Sequence, residues 1–385
     1  MEVVVIVGAG PSGLATSACL NLLSIPNIVL EREDCCASLW KNKTYDRLKL
    51  HLAKQFCQLP HMPYPSHFPT FISREGFIRY LDDYVSHFRI NPKYCRSVES
   101  ASYDGIVGKW RVTAKNTISN EIEVYITKFL VVATGENSEE FVPKVPGLDS
   151  FRGETLHSSN YKNGGSYKEK NVLVVGCGNS GMEIAYDQSN SGARTSIVAR
   201  NPVHVLPKEL VYLGMLLLKV LPFEMVDPTV LMLSKLKYGD LSNYGLRRPQ
   251  KGPFYLKATT GRSPVIDVGT MEKIDRGEIQ VLPSISNING KDVLFSNGKT
   301  YRFDAIIFAT GYKSTARNWL KDGDDLLNQD GMPKSSFPNH WKGKDGLYSA
   351  GFACKGLYGI SADAQNIAND ISLALNTKKE INLLY

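Results

Sequence analysis

The chain has 385 residues, 43% of them hydrophobic and 22% charged, the balance of an ordinary soluble globular protein and too long for one typical core, so two domains are expected. Its formal net charge of +7 suits anionic ligands, but the basic residues are dispersed and exclude a nucleic-acid-binding arm. Cysteines at 19, 35, 36, 57, 95, 177 and 354 are odd in number and form no C-x-x-C, which excludes a disulfide framework and reads as reduced thiols in a cytoplasmic protein.

Residues 1–31, MEVVVIVGAGPSGLATSACLNLLSIPNIVLE, form a whole nucleotide-binding unit. A β-branched run, Val3–Val7, predicts a strand, and the turn Gly8-Ala9-Gly10-Pro11-Ser12-Gly13 leads into a small-residue helix and a second apolar strand. Gly8 permits the tight turn, Gly10 lets backbone N–H groups reach a pyrophosphate, and Gly13 lets the helix pack on the strand. The helix N-terminus turns its positive dipole end toward the phosphates. Glu31, about twenty residues on, is placed to accept hydrogen bonds from a ribose 2′-OH. A Gly-rich turn alone is the plainer reading, but strand, helix and acid in one register favour a nucleotide. A strand starting at residue 2 or 3 leaves no room for a signal or transit peptide.

Residues 38–52, SLWKNKTYDRLKLHL, place Leu48, Leu50 and Leu52 on one face of a predicted short strand and Arg47, Lys49 and His51 on the other. Prolines at 60, 63, 65 and 69 make an ordered loop. Ser73 is a predicted N-cap for a helix carrying Phe77, Tyr80, Leu81, Tyr84 and Val85. The stretches WRVTAKN and EIEVYIT alternate like antiparallel strands. The apolar run Leu210–Phe223 is interrupted by Lys219 and Pro222 and is too short to span a bilayer. Residues 210–236 could cover the active site, or meet a second subunit or a membrane surface.

One strand ending occurs twice: Phe129–Val132 runs into Ala133-Thr134-Gly135, and Ala305–Phe308 into Ala309-Thr310-Gly311-Tyr312. Between the copies lies a second unit, NVLVVGCGNSGMEIAYDQSNSGARTSIVAR, with Gly176, Gly178, Asn179, Ser180 and Gly181 repeating the first turn. Two such units imply two dinucleotides. Where the first carries Glu31, the second carries Arg200. A carboxylate repels a 2′-phosphate and a guanidinium binds it, so the second nucleotide is expected to be NADP(H); the plainer reading of Arg200 is a solvated surface residue. The strand at 345–352 and a helix starting near Ser361 rejoin the first domain. The expected fold is α/β, with two Rossmann-like dinucleotide-binding domains: 1–155 with 300–385, and an inserted domain at 156–299.

The fingerprints GAGPSG and GCGNSG, with Phe151-Arg-Gly153-Glu-Thr-Leu-His157-Ser-Ser-Asn-Tyr161 between them, resemble class B flavin-containing monooxygenases through their F-x-G-x-x-x-H-x-x-x-Y signature. LVVATGEN, PVIDVGT and FATGYKS narrow the resemblance to the plant YUCCA-type enzymes of auxin synthesis. The resemblance implies FAD at the first unit, NADPH at the second, and O2 and indole-3-pyruvate as substrates, with decarboxylation to indole-3-acetate through a C4a-(hydro)peroxyflavin. It implies cofactor contacts from both fingerprints, Glu31, Trp40, His51, Arg200 and the two Ala-Thr-Gly turns with Tyr312. His51 stands where many relatives carry an Asn near the flavin, and is the one catalytic candidate. No Asp occupies the Gly351 strand, where distant flavoproteins place a ribityl contact.

No G-x-S-x-G, H-E-x-x-H or cysteine pair offers a protein nucleophile, a metal site or a disulfide relay, so the cofactor must carry the reaction. Two alternatives stay open: oxygenation of a nitrogen or sulfur of a small metabolite, and, more remotely, a pyridine-nucleotide disulfide reductase. A cytoplasmic location is expected, with peripheral association at the endoplasmic reticulum left open.

Overall fold

Consecutive β-branched residues favour a strand covered on both faces. In the computed structural model, which describes residues 2–382, Val4, Val5 and Ile6 have no exposed surface. This strand, β1 (Glu2–Val7), feeds α1 (Pro11–Leu22) and then β2 (Asn27–Leu30), which lies parallel beside it. The expected strand at 38–52 is absent: the segment forms α2 (Ser38–Asn42) and then an irregular stretch. Leu48 packs into one core cluster and Leu52 into another, so burial against two partners overrides the alternation.

Ser73 caps α3 (Arg74–His87) as its position predicts, its Oγ accepting from Gly76 N at 3.2 Å. Tyr80 and Tyr84 hydroxyls donate to the carbonyls of Met62 and Pro60, and Lys54 Nζ to those of Pro65, Ser66 and Phe68. These bonds satisfy the proline-rich loop, whose backbone has few partners of its own. The antiparallel meander β3 (Arg96–Asp104), β4 (Lys109–Asn116) and β5 (Ile122–Val132) follows, and the end of β5 runs parallel to β1. The sheet order is β2-β1-β5-β4-β3.

The second sheet repeats the plan. It contains β6 (Glu154–His157), β7 (Asn171–Val175), β8 (Arg194–Val198), β9 (Ile279–Leu282) and, beyond the antiparallel meander β10 (Ile285–Asn289), β11 (Asp292–Phe295) and β12 (Thr300–Arg302), β13 (Ala305–Phe308). All five pair in parallel in the order β9-β8-β7-β13-β6. From β7 springs α4 (Asn179–Asn190). The apolar 210–236 stretch becomes α5 (Lys208–Leu217) and α6 (Phe223–Tyr238), which bury Val211, Val226 and Val230 around Phe254 and leave Met225, Met232 and Leu236 exposed.

The chain divides into two compact units, one of Met1–Asn42, Ala53–Glu139 and Tyr312–Tyr385, the other of Lys43–Leu52 and Glu140–Gly311. The expected boundaries at 155/156 and 299/300 therefore shift, because β6 and β13 belong to the second sheet. The short strap 43–52 also joins the second unit. After Gly311 the chain returns to the first unit, adding β14 (Leu347–Ser349) parallel to β5 and then α7 (Gly356–Asn382). That helix starts earlier than expected, so Ser361 is not its cap; its Oγ donates to the Gln58 carbonyl at 2.9 Å. Among the described residues, no helix is long and apolar enough to cross a membrane.

Candidate functional site

In the first unit, β1 pairs with β2 and β5 so that Val7 faces Leu30 on one side and Val132 on the other. All three strands end together, and the glycine turn starts at that edge. Gly8 has φ +109°, and a Cβ there would stand 2.7 Å from the Ala133 carbonyl oxygen; a Cβ on Gly13 would meet the Gly8 oxygen at 1.9 Å. Gly10 differs, since a Cβ there would meet nothing within 4 Å. Its openness is space for a ligand, and no side chain caps α1, whose N–H groups stay available. Pro11 opens the helix, Ser12 is buried, and Thr134 Oγ1 is buried without a hydrogen-bond partner among the described residues. These features fit a dinucleotide diphosphate.

Glu31 is only 7% exposed and has a task that the sequence did not reveal. Its Oε2 accepts from Ala9 N at 2.6 Å and its Oε1 from Glu33 N at 3.0 Å, so the carboxylate braces the turn. Burial pushes its pKa above the usual carboxylate value, against the lowering effect of those two N–H groups. Each oxygen keeps a lone pair for a ribose hydroxyl. Trp40 packs edge-on against Phe77, ring centroids 4.5 Å apart.

The second unit reproduces this geometry. Val175 faces Val198 and Phe308 in the same register, Gly176 has φ +115°, and a Cβ on it would meet the Ala309 oxygen at 2.4 Å. A Cβ on Gly181 would meet the Gly176 oxygen at 1.9 Å, whereas Gly178 is open. The Ala-Thr-Gly turns, Ala133–Gly135 and Ala309–Gly311, thus back the two glycine loops in the same way. Asn179 is already engaged, donating to the Pro264 carbonyl and accepting from Ile266 N at 2.7 Å. Ser180 is half-buried and Arg200 exposed just beyond β8; Arg247 donates to the Arg200 carbonyl. Tyr312 opens the return to the first unit.

The signature Phe151-x-Gly153-x-x-x-His157-x-x-x-Tyr161 forms a clasp around the second turn. Phe151 packs into the sheet core, and Gly153 has no room for a side chain beside the Asp304 oxygen. His157 Nε2 donates to the Gly311 carbonyl at 3.1 Å while its Nδ1 accepts from Ser159 N, the network assigning the tautomer. Burial lowers the basicity of this imidazole. Tyr161 donates to Asp187 on α4 at 2.5 Å, and Asp187 also accepts from Gly164 N.

His51 likewise meets α4, its Nε2 standing 2.8 Å from Oε1 of the buried Glu183. Arg47 stacks over Tyr186 at 4.4 Å. Glu183 and Asp187 were missed in the sequence; two acids one helical turn apart in a helix otherwise rich in small and apolar residues were the signal. Burial pushes the Cys19, Cys57 and Cys177 thiols up to about 12, and Cys36 is raised too, so none of these is an activated nucleophile.

Residues 1–324 match the flavin-binding monooxygenase-like family. The chain is 58% identical to the probable indole-3-pyruvate monooxygenase YUCCA10 of Arabidopsis thaliana, over 98% of this chain and 99% of that protein. It is 50% identical to the indole-3-pyruvate monooxygenase YUCCA6 of the same plant, over 95% and 89%. Among solved structures, OTEMO in complex with FAD and NADP superposes with a TM-score of 0.75 at 16% identity, over 98% of this chain and 85% of that one. Twin glycine turns, the clasp and end-to-end likeness to these relatives converge: the chain belongs to the flavin-binding monooxygenase-like family, in its YUCCA branch.

Proposed function

We propose that this enzyme oxidatively decarboxylates indole-3-pyruvate, consuming NADPH and O2 and releasing indole-3-acetate, CO2, NADP+ and water. One oxygen atom enters the acid and the other leaves as water. The observation that carries the reading is the near-complete alignment with the indole-3-pyruvate monooxygenase YUCCA6 at 50% identity, and with its probable counterpart YUCCA10 at 58%. FAD is assigned to the first turn and NADPH to the second. When bound, FAD supplies the redox chemistry, taking electrons from NADPH and delivering them to O2.

The chain's own residues supply the rest. Gly8, Gly10 and Gly13 admit a diphosphate to the α1 N-terminus, Pro11 and Ser12 shape that end, Glu31 accepts from a ribose hydroxyl, and Thr134 Oγ1 offers an unused donor. Gly176, Gly178, Ser180 and Gly181 receive the second diphosphate, and Arg200 reads its 2′-phosphate. Asn179 acts through the 264–266 segment that it holds. The enzyme is assigned to the cytoplasm.

The test is NADPH-dependent O2 uptake by purified protein with indole-3-pyruvate, with product followed by mass spectrometry. One indole-3-acetate per NADPH is expected, with far slower turnover of thioethers and amines. Oxygenation of sulfur or nitrogen compounds in preference to the keto acid would replace the substrate assignment, and absence of NADPH-dependent O2 uptake would remove the oxygenase itself.

A further inference from the structure

Behind the first turn, in the same unit, lies a polar pair that no part of the proposed reaction uses. Asp363 on α7 and His340 in the loop before β14 are 0% and 1% exposed. His340 Nε2 stands 3.0 Å from Asp363 Oδ1, out of line for a directed hydrogen bond, and His340 Nδ1 has no hydrogen-bond partner among the described residues. The other carboxylate oxygen, Oδ2, accepts from Gly351 N at 2.9 Å. Gly351 has φ +85°, and a Cβ on it would stand 2.0 Å from Ser12 Oγ. A continuous run of contacts therefore leads from His340 through Asp363 and Gly351 to the second residue of α1.

The loop carrying His340 is anchored on both sides of it. Phe337 packs on the imidazole and receives the Lys355 ammonium over its ring, Ser349 Oγ donates to the His340 carbonyl, and Lys342 pairs with Asp370. So much scaffolding around one buried imidazole implies that its position matters. A carboxylate buried without a partner is costly, and here it would sit close behind the turn expected to receive a diphosphate. The imidazole is the group packed against that carboxylate oxygen.

We propose that His340 and Asp363 are positioning residues of the flavin site, a buried pair that seats Gly351 against Ser12 and in which the imidazole offsets the carboxylate behind the bound diphosphate. This rests on the assignment of FAD to the first turn. Only one of the simple substitutions leaves the site charged: His340→Gln strands the Asp363 carboxylate, whereas Asp363→Asn and the double variant are neutral and retain an acceptor for Gly351 N.

The measurement is the rate of FAD release from the full-length holoprotein, read as recovered flavin fluorescence after dilution, with melting of the apoprotein recorded alongside. His340→Gln is expected to release FAD at least about tenfold faster than the parent, while Asp363→Asn and the double variant stay within about threefold of it. A double variant that releases FAD as fast as His340→Gln would show that lost packing governs retention and would overturn the charge argument, as would a His340→Gln protein that holds FAD normally. If His340→Gln does not fold, the double variant decides: recovered folding and flavin retention support the proposal, and a second failure overturns it. A parent protein that binds no FAD would instead remove the cofactor assignment beneath it.

Discussion

At the scale of single residues, the glycines of each turn are not equivalent, and the difference is testable. Gly13 has no room for a methyl group, since a Cβ there would stand 1.9 Å from the Gly8 oxygen, so Gly13→Ala should give an unstable protein. Gly10 has φ −73° and open space where its Cβ would be. Gly10→Ala should therefore fold with near-parental melting of the apoprotein yet purify without yellow colour, because the methyl fills the space needed by a diphosphate. A yellow Gly10→Ala protein with normal FAD content would move the cofactor elsewhere. Arg200 makes a similar distinction between roles. Its guanidinium is exposed, and a charge-assisted contact contributes ~1.5–3 kcal/mol, so Arg200→Ser should raise the KM for NADPH by about one to two orders of magnitude. KM for NADH should hardly change; equal losses with both coenzymes would make Arg200 a support for the loop. The turns were legible in the sequence because their chemistry is local, a strand, a turn and a helix within about thirty residues. Glu31 was legible as the acid that follows the second strand, but its hold on Ala9 was not visible, since a buried carboxylate's partners depend on where the backbone folds back.

At the scale of elements, the clasp couples a loop to the Ala-Thr-Gly turn through a neutral imidazole, which gives it a pH sign. Burial lowers His157 below the ordinary histidine value, and His204 is lowered for the same reason. The unfolded chain therefore takes up protons more readily than the folded one as pH falls below about 6.5, and stability is lost toward acid. The melting temperature of the protein should fall between pH 7.5 and 5.5, by about 2–4 °C per kcal/mol for a unit of this size. His157→Gln, though less stable at neutral pH, should show a shallower fall; an unchanged slope would mean that His157 does not sense the change. The signature residues were legible as a motif, whereas their partners Asp187 and Gly311 are remote in sequence and only the fold brings them together. The same limit explains the strap: alternation within 38–52 suggested one strand face, and two separate cores claimed Leu48 and Leu52.

At the scale of the whole molecule, the double nucleotide plan was readable from the repeated turns, but the boundaries were not, because a strand's sheet is decided by pairing and not by its own residues. The chain crosses from the first unit to the second and back twice, and the first crossing is the strap at 43–52. That strap reaches its contacts late during synthesis. His51 precedes Glu183 by 132 positions, and a ribosome adding about 5–20 residues per second takes about 7–26 s to deliver the partner. Throughout that interval Tyr45, Leu48, Leu50 and Leu52 have no core to enter, so the nascent chain carries an amphipathic decapeptide whose four apolar side chains need shelter, and slow translation through residues 53–190 should cost this enzyme soluble yield.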